Sequence, residues 1–275
     1  MSNRKFIAII PAQLSNRKFI AIIPARYGST RFLGKPLALI GGKPMIEHVY
    51  RQASKALDEV YVATDDQRIY DTVVGFGGQA IMTRTDHRCG TERCLEAIEW
   101  IMAKGRGRRA KGDGEPIVIN IQGDEPFIQP EQIEALKACF DDPQTQIATL
   151  VKPFEEEDGW EALENPNTPK VVFSHVNRQA LLFSRSVIPY LRNIPREQWL
   201  KQHVHYKHIG MYAYRADILR QIVALPPTQA ELNESLEQLR WLENGYHIRV
   251  AETHIQSIGI DTPEDLIKAE KYILN

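Results

Sequence analysis

A chain of 275 residues, 43% hydrophobic and 25% charged, has the composition of an ordinary globular protein and room for one large domain or two unequal ones. Its net charge of −1 gives no general attraction to nucleic acid or to a membrane surface, so any anion site must be a local cluster of cations. Three cysteines without a CxxC pair argue against a disulfide framework, and no apolar run reaches the roughly 18 residues of a membrane span. These features predict a cytoplasmic protein that binds neither nucleic acid nor membrane.

The N-terminus carries an isolated repeat, because residues 2–12 and residues 15–25 both read SNRKFIAIIPA. Only the second copy continues into the loop that follows the first predicted strand. A single repeat of this length is too short for a solenoid. We therefore expect residues 1–14 to be a duplicated N-terminal extension and residues 15–275 to form a single domain.

A short apolar strand, residues 19–23, leads into a loop that contains both glycines and cations. Loops at the carboxyl end of the first strand of an α/β sheet commonly bind ligands. Gly28 and Gly34 permit tight turns and a close approach of the backbone to a ligand. The pattern therefore predicts a ligand-binding loop, with a basic surface loop as the alternative.

The cations of this loop, Arg26, Arg31 and Lys35, suit a polyphosphate ligand. The loop is not a Walker A motif, because five residues separate its glycines and Pro36 follows the lysine. It does not match GxGxxG either, so a dinucleotide cofactor is not expected.

Hydrophobic periodicity predicts alternating strands and helices through the first half of the chain. The predicted strands after the loop are residues 59–64, 79–83, 116–121 and 147–152. The predicted helices are residues 44–57, 67–76, 91–102, with Thr91 as the N-cap, and 130–140. This alternation is typical of an α/β fold with a mostly parallel twisted sheet and helices on both faces, a Rossmann-like arrangement.

The pattern changes in the second half of the chain. Residues 170–174 and 180–185 flank a turn and predict an antiparallel hairpin, and residues 207–215 predict a further strand. We expect a smaller inserted antiparallel lobe at about residues 153–215. The remaining predicted elements are a helix at 233–243, strands at 248–252 and 256–260, and a closing helix at 263–274. The basic, glycine-rich segment 104–115 is predicted to be a solvated loop.

Two aspartates follow predicted strands and should lie at the carboxyl edge of the sheet near the basic loop. Asp124 follows one strand through a glycine, and Asp261 lies between another and the closing helix. Alone, the first suits a turn and the second a helix N-cap. Together, beside a phosphate loop, they favour Mg²⁺, which takes one or two carboxylates plus substrate phosphates.

The inserted lobe contributes further polar candidates. Arg185 ends the second strand of the hairpin, where it could bind a carboxylate or form a surface ion pair. His208 and Tyr212 share a face of one strand, and core packing is the default interpretation for both. His203 and His205 lie close by, but the sequence has no matching cysteine or acidic residue for a structural zinc site.

In their order along the chain, the motifs resemble those of the 3-deoxy-D-manno-octulosonate (Kdo) cytidylyltransferases. The resemblance runs from Lys18 almost to the C-terminus. Its pieces are IIPARYGSTRFLGKPL, GKPMIEHV, VATDD, TRTDHRCGTER, VINIQGDEP, KVVF, LLFSRSVIP, HIGMYAYR, LEQLRWLENG and DTPEDL. Each piece is modest alone, and their shared order makes a chance agreement very improbable.

The resemblance implies that CTP and Kdo react with Mg²⁺ to give CMP-Kdo and pyrophosphate, by in-line attack of the anomeric hydroxyl on the α-phosphorus. It also implies a homodimer formed through the inserted lobe. By motif, the nucleotide site would comprise Ala25, Arg26, Arg31, Lys35, Thr91 and Arg93, and the metal site Asp124 and Asp261. The sugar-acid site would comprise Gln122, Arg185, His208, Tyr212, Glu237 and Gln238. Arg26, Lys35, Asp124 and Asp261 are the predicted catalytic residues, and Arg185 would meet the sugar carboxylate.

Two positions depart from the usual motifs of the family. Leu33 stands where a proline is usual, which frees the backbone of the loop. Cys89 stands where a serine is usual, and a thiol is the weaker hydrogen-bond donor.

Three alternatives remain open at this point. They are a related enzyme for 8-amino-3,8-dideoxy-manno-octulosonate, a cytidylyltransferase for another sugar acid such as a sialic acid, and a non-catalytic nucleotide-binding protein. The presence of Arg26, Lys35, Asp124 and Asp261 argues against the last.

Overall fold

The computed structural model describes residues 17–28, 32–106, 115–256, 259–260 and 262–274. The strands are β1 (Phe19–Ala25), β2 (Leu39–Ile40), β3 (Lys43–Pro44), β4 (Val60–Thr64), β5 (Ala80–Met82), β6 (Ile117–Asn120), β7 (Ile147–Pro153), β8 (Lys170–Phe173), β9 (Ala180–Ser184), β10 (Tyr206–Arg215) and β11 (Ile248–Glu252). The α-helices are α1 (Met45–Ala56), α2 (Gln67–Gly75), α3 (Gly90–Ala103), α4 (Pro130–Ala138), α5 (Gly159–Glu164), α6 (Trp199–Gln202), α7 (Ala216–Val223), α8 (Gln229–Glu234), α9 (Glu237–Glu243) and α10 (Pro263–Leu274). Short 3₁₀ turns include Lys35–Leu37.

The main sheet has the strand order β11-β7-β10-β6-β1-β4-β5. Its pairs are parallel except where β10 runs antiparallel between β6 and β7. The predicted hairpin is confirmed as the antiparallel pair β8–β9, which joins the main sheet through β10. The predicted α/β class is therefore confirmed, with the antiparallel hairpin attached to the start of the interior strand β10 of a mostly parallel sheet.

Strand β1 lies inside this sheet, between β6 and β4, and sends alternate side chains into two cores. Ile20 and Ile22 pack into the cluster that contains α3, α7 and α9. Ala21 and Ile23 pack into the opposite cluster, which contains α1, α2 and α4. Because both faces are covered by helices, the strand reads as a continuous apolar run rather than as an alternating one.

The C-terminal half contains two departures from the predicted elements. The single helix predicted at 233–243 is two helices, because Ser235 adopts a left-handed backbone with φ of 49° between α8 and α9. In the strand predicted at 256–260, residues 256 and 259–260 are not in a strand, and residues 257–258 lie outside the described part. The short ribbon β2–β3, with glycines of positive φ at 41 and 42, was not predicted.

In the part of the chain that the structure describes, no helix is long and apolar enough to cross a membrane.

Candidate active site

The loop after β1 is closed by a main-chain hydrogen bond that Gly34 N donates to Tyr27 O over 2.9 Å. Gly34 has a φ of 70°, and a Cβ there would lie 2.9 Å from the Tyr27 ring. The guanidinium of Arg68 covers the same ring at 3.3 Å from its centroid. The ends of the loop are therefore held against α2. Predicted nucleotide ligand Arg31 lies outside the described residues.

The loop borders a cleft of about 250 Å³ at the carboxyl edge of the sheet. Its walls come from the ends of β1 and β6, from the loop before α3 and from the first turn of that helix. The lining residues are Pro24, Ala25, Arg26, Lys35, Pro36, His87, Arg88, Cys89, Gly90, Arg93, Gln122, Gly123 and Asp124. The sequence analysis placed Ala25, Arg26, Lys35, Arg93, Gln122 and Asp124 at a ligand site, and the structure brings these six together.

Two glycines allow the walls of the cleft to approach one another. A Cβ at Gly123 would lie 3.0 Å from the carbonyl oxygen of Pro24, where the ends of β1 and β6 run side by side. A Cβ at Gly90 would lie 3.2 Å from the Pro24 ring, where α3 begins. The N-terminus of α3, with its partial positive charge, therefore faces the same space as the cations of the loop.

Within the cleft, Lys35 and Asp124 form an ion pair with 2.6 Å between Nζ and Oδ2. The lysine side chain is 13% exposed and the aspartate side chain 32% exposed. Arg26 lies at the exposed rim. Ile260 N donates to Asp124 O over 2.9 Å, which places residues 259–260 beside the candidate metal ligand. The second predicted metal ligand, Asp261, lies outside the described residues.

Glu125 follows the candidate metal ligand and was not singled out from the sequence. The residue is half-buried, and its Oε2 atom is fully buried with no hydrogen-bond partner among the described residues. Burial, together with the negative charge of Asp124, raises the pKa of Glu125 to about 8. A protonated Glu125 carries no charge, so Asp124 is the group that supplies negative charge at this point of the cleft.

Arg93 lies in the wall of the cleft, and side chains at the ends of β4 and β5 hold its guanidinium. It donates to Asp65 Oδ2 over 2.8 Å and to Thr83 Oγ1 over 2.5 Å. The side chain is only 5% exposed, so this ion pair is largely shielded from water. Arg93 therefore fixes the start of α3 against the ends of β4 and β5.

Thr91 does not cap α3, and that prediction was wrong. The helix begins at Gly90, so Thr91 lies inside the first turn, and its hydroxyl donates to Glu237 Oε2 over 2.6 Å. The side chain is drawn away from the helix axis because a buried carboxylate on α9 accepts its hydrogen bond.

Glu237 links this first turn to the start of α9. It also accepts hydrogen bonds from Cys89 Sγ over 3.4 Å and from Arg240 over 2.8 Å. Burial raises the pKa of Glu237, while the bond from Thr91 opposes the rise. Burial and the nearby Glu237 raise the pKa of Cys89 to about 11, so the thiol stays protonated and acts as a donor. Residues predicted for the nucleotide and for the sugar acid thus share one hydrogen-bond network.

The other predicted sugar-acid residues lie on the strands and helices beside the cleft. Gln122 Nε2 donates to Gly210 O over 3.3 Å, and the rings of His208 and Tyr212 are 5.2 Å apart. Tyr212 Oη and Gln238 Nε2 are buried and have no hydrogen-bond partner among the described residues. Buried polar atoms are normally paired, so these two are exceptions to the usual pattern.

Arg185 is held by main-chain carbonyl oxygens. Its guanidinium donates to Glu234 O, Pro166 O and Ser235 O over 2.5, 2.8 and 3.4 Å. An arginine has five N–H donors, so this arrangement positions the group and leaves donors over.

His87 and Arg88 also line the cleft and were missed by the sequence analysis. His87 is hydrogen-bonded to Glu96, and Arg88 donates to Glu92 over 2.6 Å. Their position between a parallel strand and the N-terminus of α3 is the signal that could have identified them. Among the described residues, no group of three histidine, cysteine, aspartate or glutamate side chains is arranged to hold a metal ion.

Comparison with known proteins identifies the class. The profile of the cytidylyltransferase family matches residues 20–256. The 3-deoxy-manno-octulosonate cytidylyltransferase of Phocaeicola vulgatus is 59% identical over 269 residues, which cover 98% of this chain and 97% of that protein. The enzyme of the same name from Bacteroides thetaiotaomicron is 56% identical over 271 residues, covering 98% and 99%. The chain therefore belongs to the cytidylyltransferase family, and within it to the 3-deoxy-manno-octulosonate cytidylyltransferases.

A solved structure agrees with this assignment. The structure of CMP:2-keto-3-deoxy-manno-octonic acid synthetase complexed with CTP matches with a TM-score of 0.81 and 42% identity, covering 94% of this chain and 98% of that one. A cytidylyltransferase from Leptospira borgpetersenii matches with a TM-score of 0.57 and 12% identity, covering 94% and 87%, and at that identity it shows the shared fold alone.

Proposed function

We propose that this protein transfers the cytidylyl group of CTP to the anomeric hydroxyl of Kdo, giving CMP-Kdo and pyrophosphate. The single observation that carries the proposal is the cleft at the ends of β1 and β6, where Lys35 and Asp124 meet in a chain 59% identical to a named Kdo cytidylyltransferase. The cleft combines cations and a carboxylate, as a triphosphate and its metal require.

The nucleotide lies in this cleft. Arg26 and Lys35 bind the triphosphate, with Arg31 nearby, because they bring positive charge to the end of β1. The main chain at Ala25 and the start of α3, including Thr91 and Arg93, form the wall against the nucleotide. These groups hold the α-phosphorus in position and oppose the charge that develops on it as pyrophosphate leaves.

Mg²⁺ is the proposed cofactor, with Asp124 and Asp261 as its ligands. The described part of the site fits this ion, because Mg²⁺ commonly takes only one or two carboxylates and completes its shell with water and phosphate oxygens. The Asp124 carboxylate lies in the cleft with part of its surface exposed. When bound, the ion would neutralise charge on the phosphates.

The sugar acid lies between the cleft and α9. Gln122, His208, Tyr212, Glu237 and Gln238 form its site, around the buried polar atoms of Tyr212 and Gln238. Arg185, positioned by three carbonyl oxygens, directs its remaining donors to the sugar carboxylate.

The assembly is a homodimer formed through the inserted lobe, residues 153–215, of an otherwise single domain. Large apolar side chains of this lobe are exposed: Leu181 by 62%, Leu182 by 45%, Tyr190 by 72% and Val204 by 50%. Apolar patches of this kind mark interaction surfaces. We place the protein in the cytoplasm, a reducing compartment that suits its three free cysteines.

A direct assay tests the proposed function. Purified protein is incubated with CTP and Mg²⁺ and with Kdo, the 8-amino sugar or a sialic acid in turn, and release of pyrophosphate is followed. We expect the highest kcat/KM with Kdo, since specificity is that ratio. A preference for the 8-amino sugar would change the identity of the acceptor but not the proposed cytidylyl transfer. No turnover with any acceptor would contradict the proposal.

Substitution of the metal ligand gives a second test. Asp124→Asn should lower kcat by about 10²-fold, because loss of about 3 kcal/mol of transition-state stabilisation corresponds to that factor. Asp71→Asn, at an exposed position on α2, is the matched control and should retain wild-type kinetics. Near-normal turnover of Asp124→Asn at limiting Mg²⁺ would remove Asp124 from the site.

A further inference from the structure

The cleft already contains a cation at the position proposed for the metal. Lys35 Nζ lies 2.6 Å from Asp124 Oδ2, inside hydrogen-bond distance. The backbone of Lys35 is fixed, because the residue begins a 3₁₀ turn. It follows Gly34, which has a left-handed backbone, and precedes the buried Pro36. Its four-carbon stem is flexible, so the ammonium can move while the backbone stays in place.

An ammonium and a divalent ion compete for this carboxylate. Mg²⁺ binds carboxylate oxygen at about 2.1 Å, which places it within repulsive range of an ammonium on the same oxygen. The lysine side chain is 13% exposed and the aspartate 32% exposed, so water screens the pair only in part. A metal ion that arrives alone must therefore displace the Lys35 ammonium from the Asp124 carboxylate.

A nucleotide triphosphate changes this balance because it provides another partner for the ammonium. Its phosphate oxygens can accept the ammonium of Lys35, and the N-terminus of α3 and Arg26 attract the same phosphates to this end of the cleft. Once the lysine has moved, Asp124 is free to bind a metal that the phosphates also coordinate.

We propose that Lys35 occupies the metal position in the nucleotide-free protein and that the divalent ion enters with the nucleotide. This inference rests on the proposed function, because it assumes that the cleft binds a metal–triphosphate complex. By linkage, the nucleotide then raises the affinity for the metal and the metal raises the affinity for the nucleotide by the same factor.

Binding of Mn²⁺ alone, followed by electron paramagnetic resonance without nucleotide or sugar, tests the proposal independently of turnover. We expect weak binding by the wild-type protein and about tenfold tighter binding by Lys35→Met, a factor within the usual range of coupling between sites. Lys35→Gln provides a second variant should Lys35→Met unfold on thermal melting.

Arg26→Met is the matched control, because it removes a cation from the rim of the cleft that lines the same space. It should tighten Mn²⁺ binding by no more than about twofold, because it removes only a nearby positive charge that water and salt screen. Equal tightening in the two variants, or none in the Lys35 variants, would overturn the proposal.

Binding of CTP in the presence of EDTA provides the reciprocal measurement. Asp124→Asn should remove the Asp124 carboxylate from Lys35 and tighten metal-free CTP binding by about tenfold, and this gain should disappear in the Lys35→Met background. If the two substitutions act additively, the ion pair does not control access and the inference is wrong. Failure of the wild-type protein to bind CTP even with Mg²⁺ would instead contradict the proposed function, while the Mn²⁺ result would still stand.

Discussion

His208 shows how the surroundings of one side chain determine its protonation. Its ring lies against Phe183 and Tyr212, with centroid separations of 5.3 and 5.2 Å. Its Nε2 is 3.0 Å from Thr149 Oγ1, and that hydroxyl donates to Met211 O over 2.8 Å. The threonine oxygen therefore accepts from Nε2–H of a neutral ring. Burial lowers the pKa of His208 to about 3.

This low pKa predicts a loss of stability in mild acid. In the unfolded chain the pKa is about 6.5, so between that value and about 3 the unfolded state binds the extra proton. The stability that comes from a neutral His208 is complete above pH 6.5 and is lost as the pH falls, by about 1.4 kcal/mol per pH unit. Between pH 7.5 and 5.5, His208→Gln should lose about 1.4 kcal/mol less than the wild type in urea unfolding.

His254→Gln is the matched control, because His254 is 74% exposed. Its stability should follow the wild-type pH dependence. If the His208 variant and the wild type lose stability in parallel, the ring of His208 does not stay neutral in the folded protein.

The loop after β1 is the element on which the nucleotide site depends, and Gly34 sets its geometry. Its φ of 70° belongs to the left-handed region, and the Tyr27 ring fills the space where a Cβ would project. Gly42 has a similar φ of 80° but no atom within 4 Å of its Cβ position. A comparison of substitutions at Gly34 and Gly42 therefore distinguishes backbone strain, which both would have, from steric conflict with Tyr27, which only Gly34 would have.

Gly34→Ala should cost about 1 kcal/mol of stability through its backbone and should also displace Tyr27 or the turn. Because Lys35 follows directly, we expect kcat/KM for CTP to fall by about 10²-fold. Gly42→Ala should show a similar loss of stability with unchanged kinetics. Equal kinetics in the two variants would show that the loop tolerates the side chain at position 34.

At the scale of the whole molecule, β9 exposes two neighbouring apolar side chains. Among the described strands it pairs only with β8. Leu181 and Leu182 are both exposed, and the pairing with β8 is irregular at Leu181, between the pairs Val172–Leu182 and Phe173–Ala180. Exposed apolar side chains of this kind favour association, and a second copy would cover them.

Leu181→Lys combined with Tyr190→Lys should convert a dimer into a monomer in sedimentation analysis, because buried lysines without partners are costly. Leu232→Lys, at an equally exposed leucine outside the lobe, is the control and should remain dimeric. A wild-type monomer, or an unaffected double variant, would refute the proposed interface.

The repeated N-terminus gives a whole-chain prediction with an internal control. Strand β1 belongs to the second copy, where Ile22 is fully buried. The corresponding residue of the first copy is Ile9, which lies outside the described residues. Ile22→Asp should destabilise the fold by several kcal/mol through a buried charge, whereas Ile9→Asp should leave the melting temperature and activity unchanged. Removal of residues 2–14 should be equally harmless, and a large loss in either case would show that the first copy is part of the fold.

The sequence by itself determined the order of most elements and the edge of the sheet that carries the site. This information is local, because apolar runs such as residues 19–23 and glycine-bearing loops are legible within a few residues. The motifs also identified the family before any contact was known. The position of Lys35 in the loop that follows the first strand came from the same local pattern.

Only the tertiary structure decided which side chains meet. Thr91 and Glu237 are 146 positions apart, and Lys35 and Asp124 are 89 apart, so neither bond is legible in a local pattern. Burial decided the pKa values of Cys89, Glu125 and His208, because desolvation depends on every element packed around a group. The break at Ser235 escaped the sequence analysis for the same reason. A left-handed backbone at a serine is kept only where its surroundings hold it, as the bond from Arg185 to the Ser235 carbonyl does here.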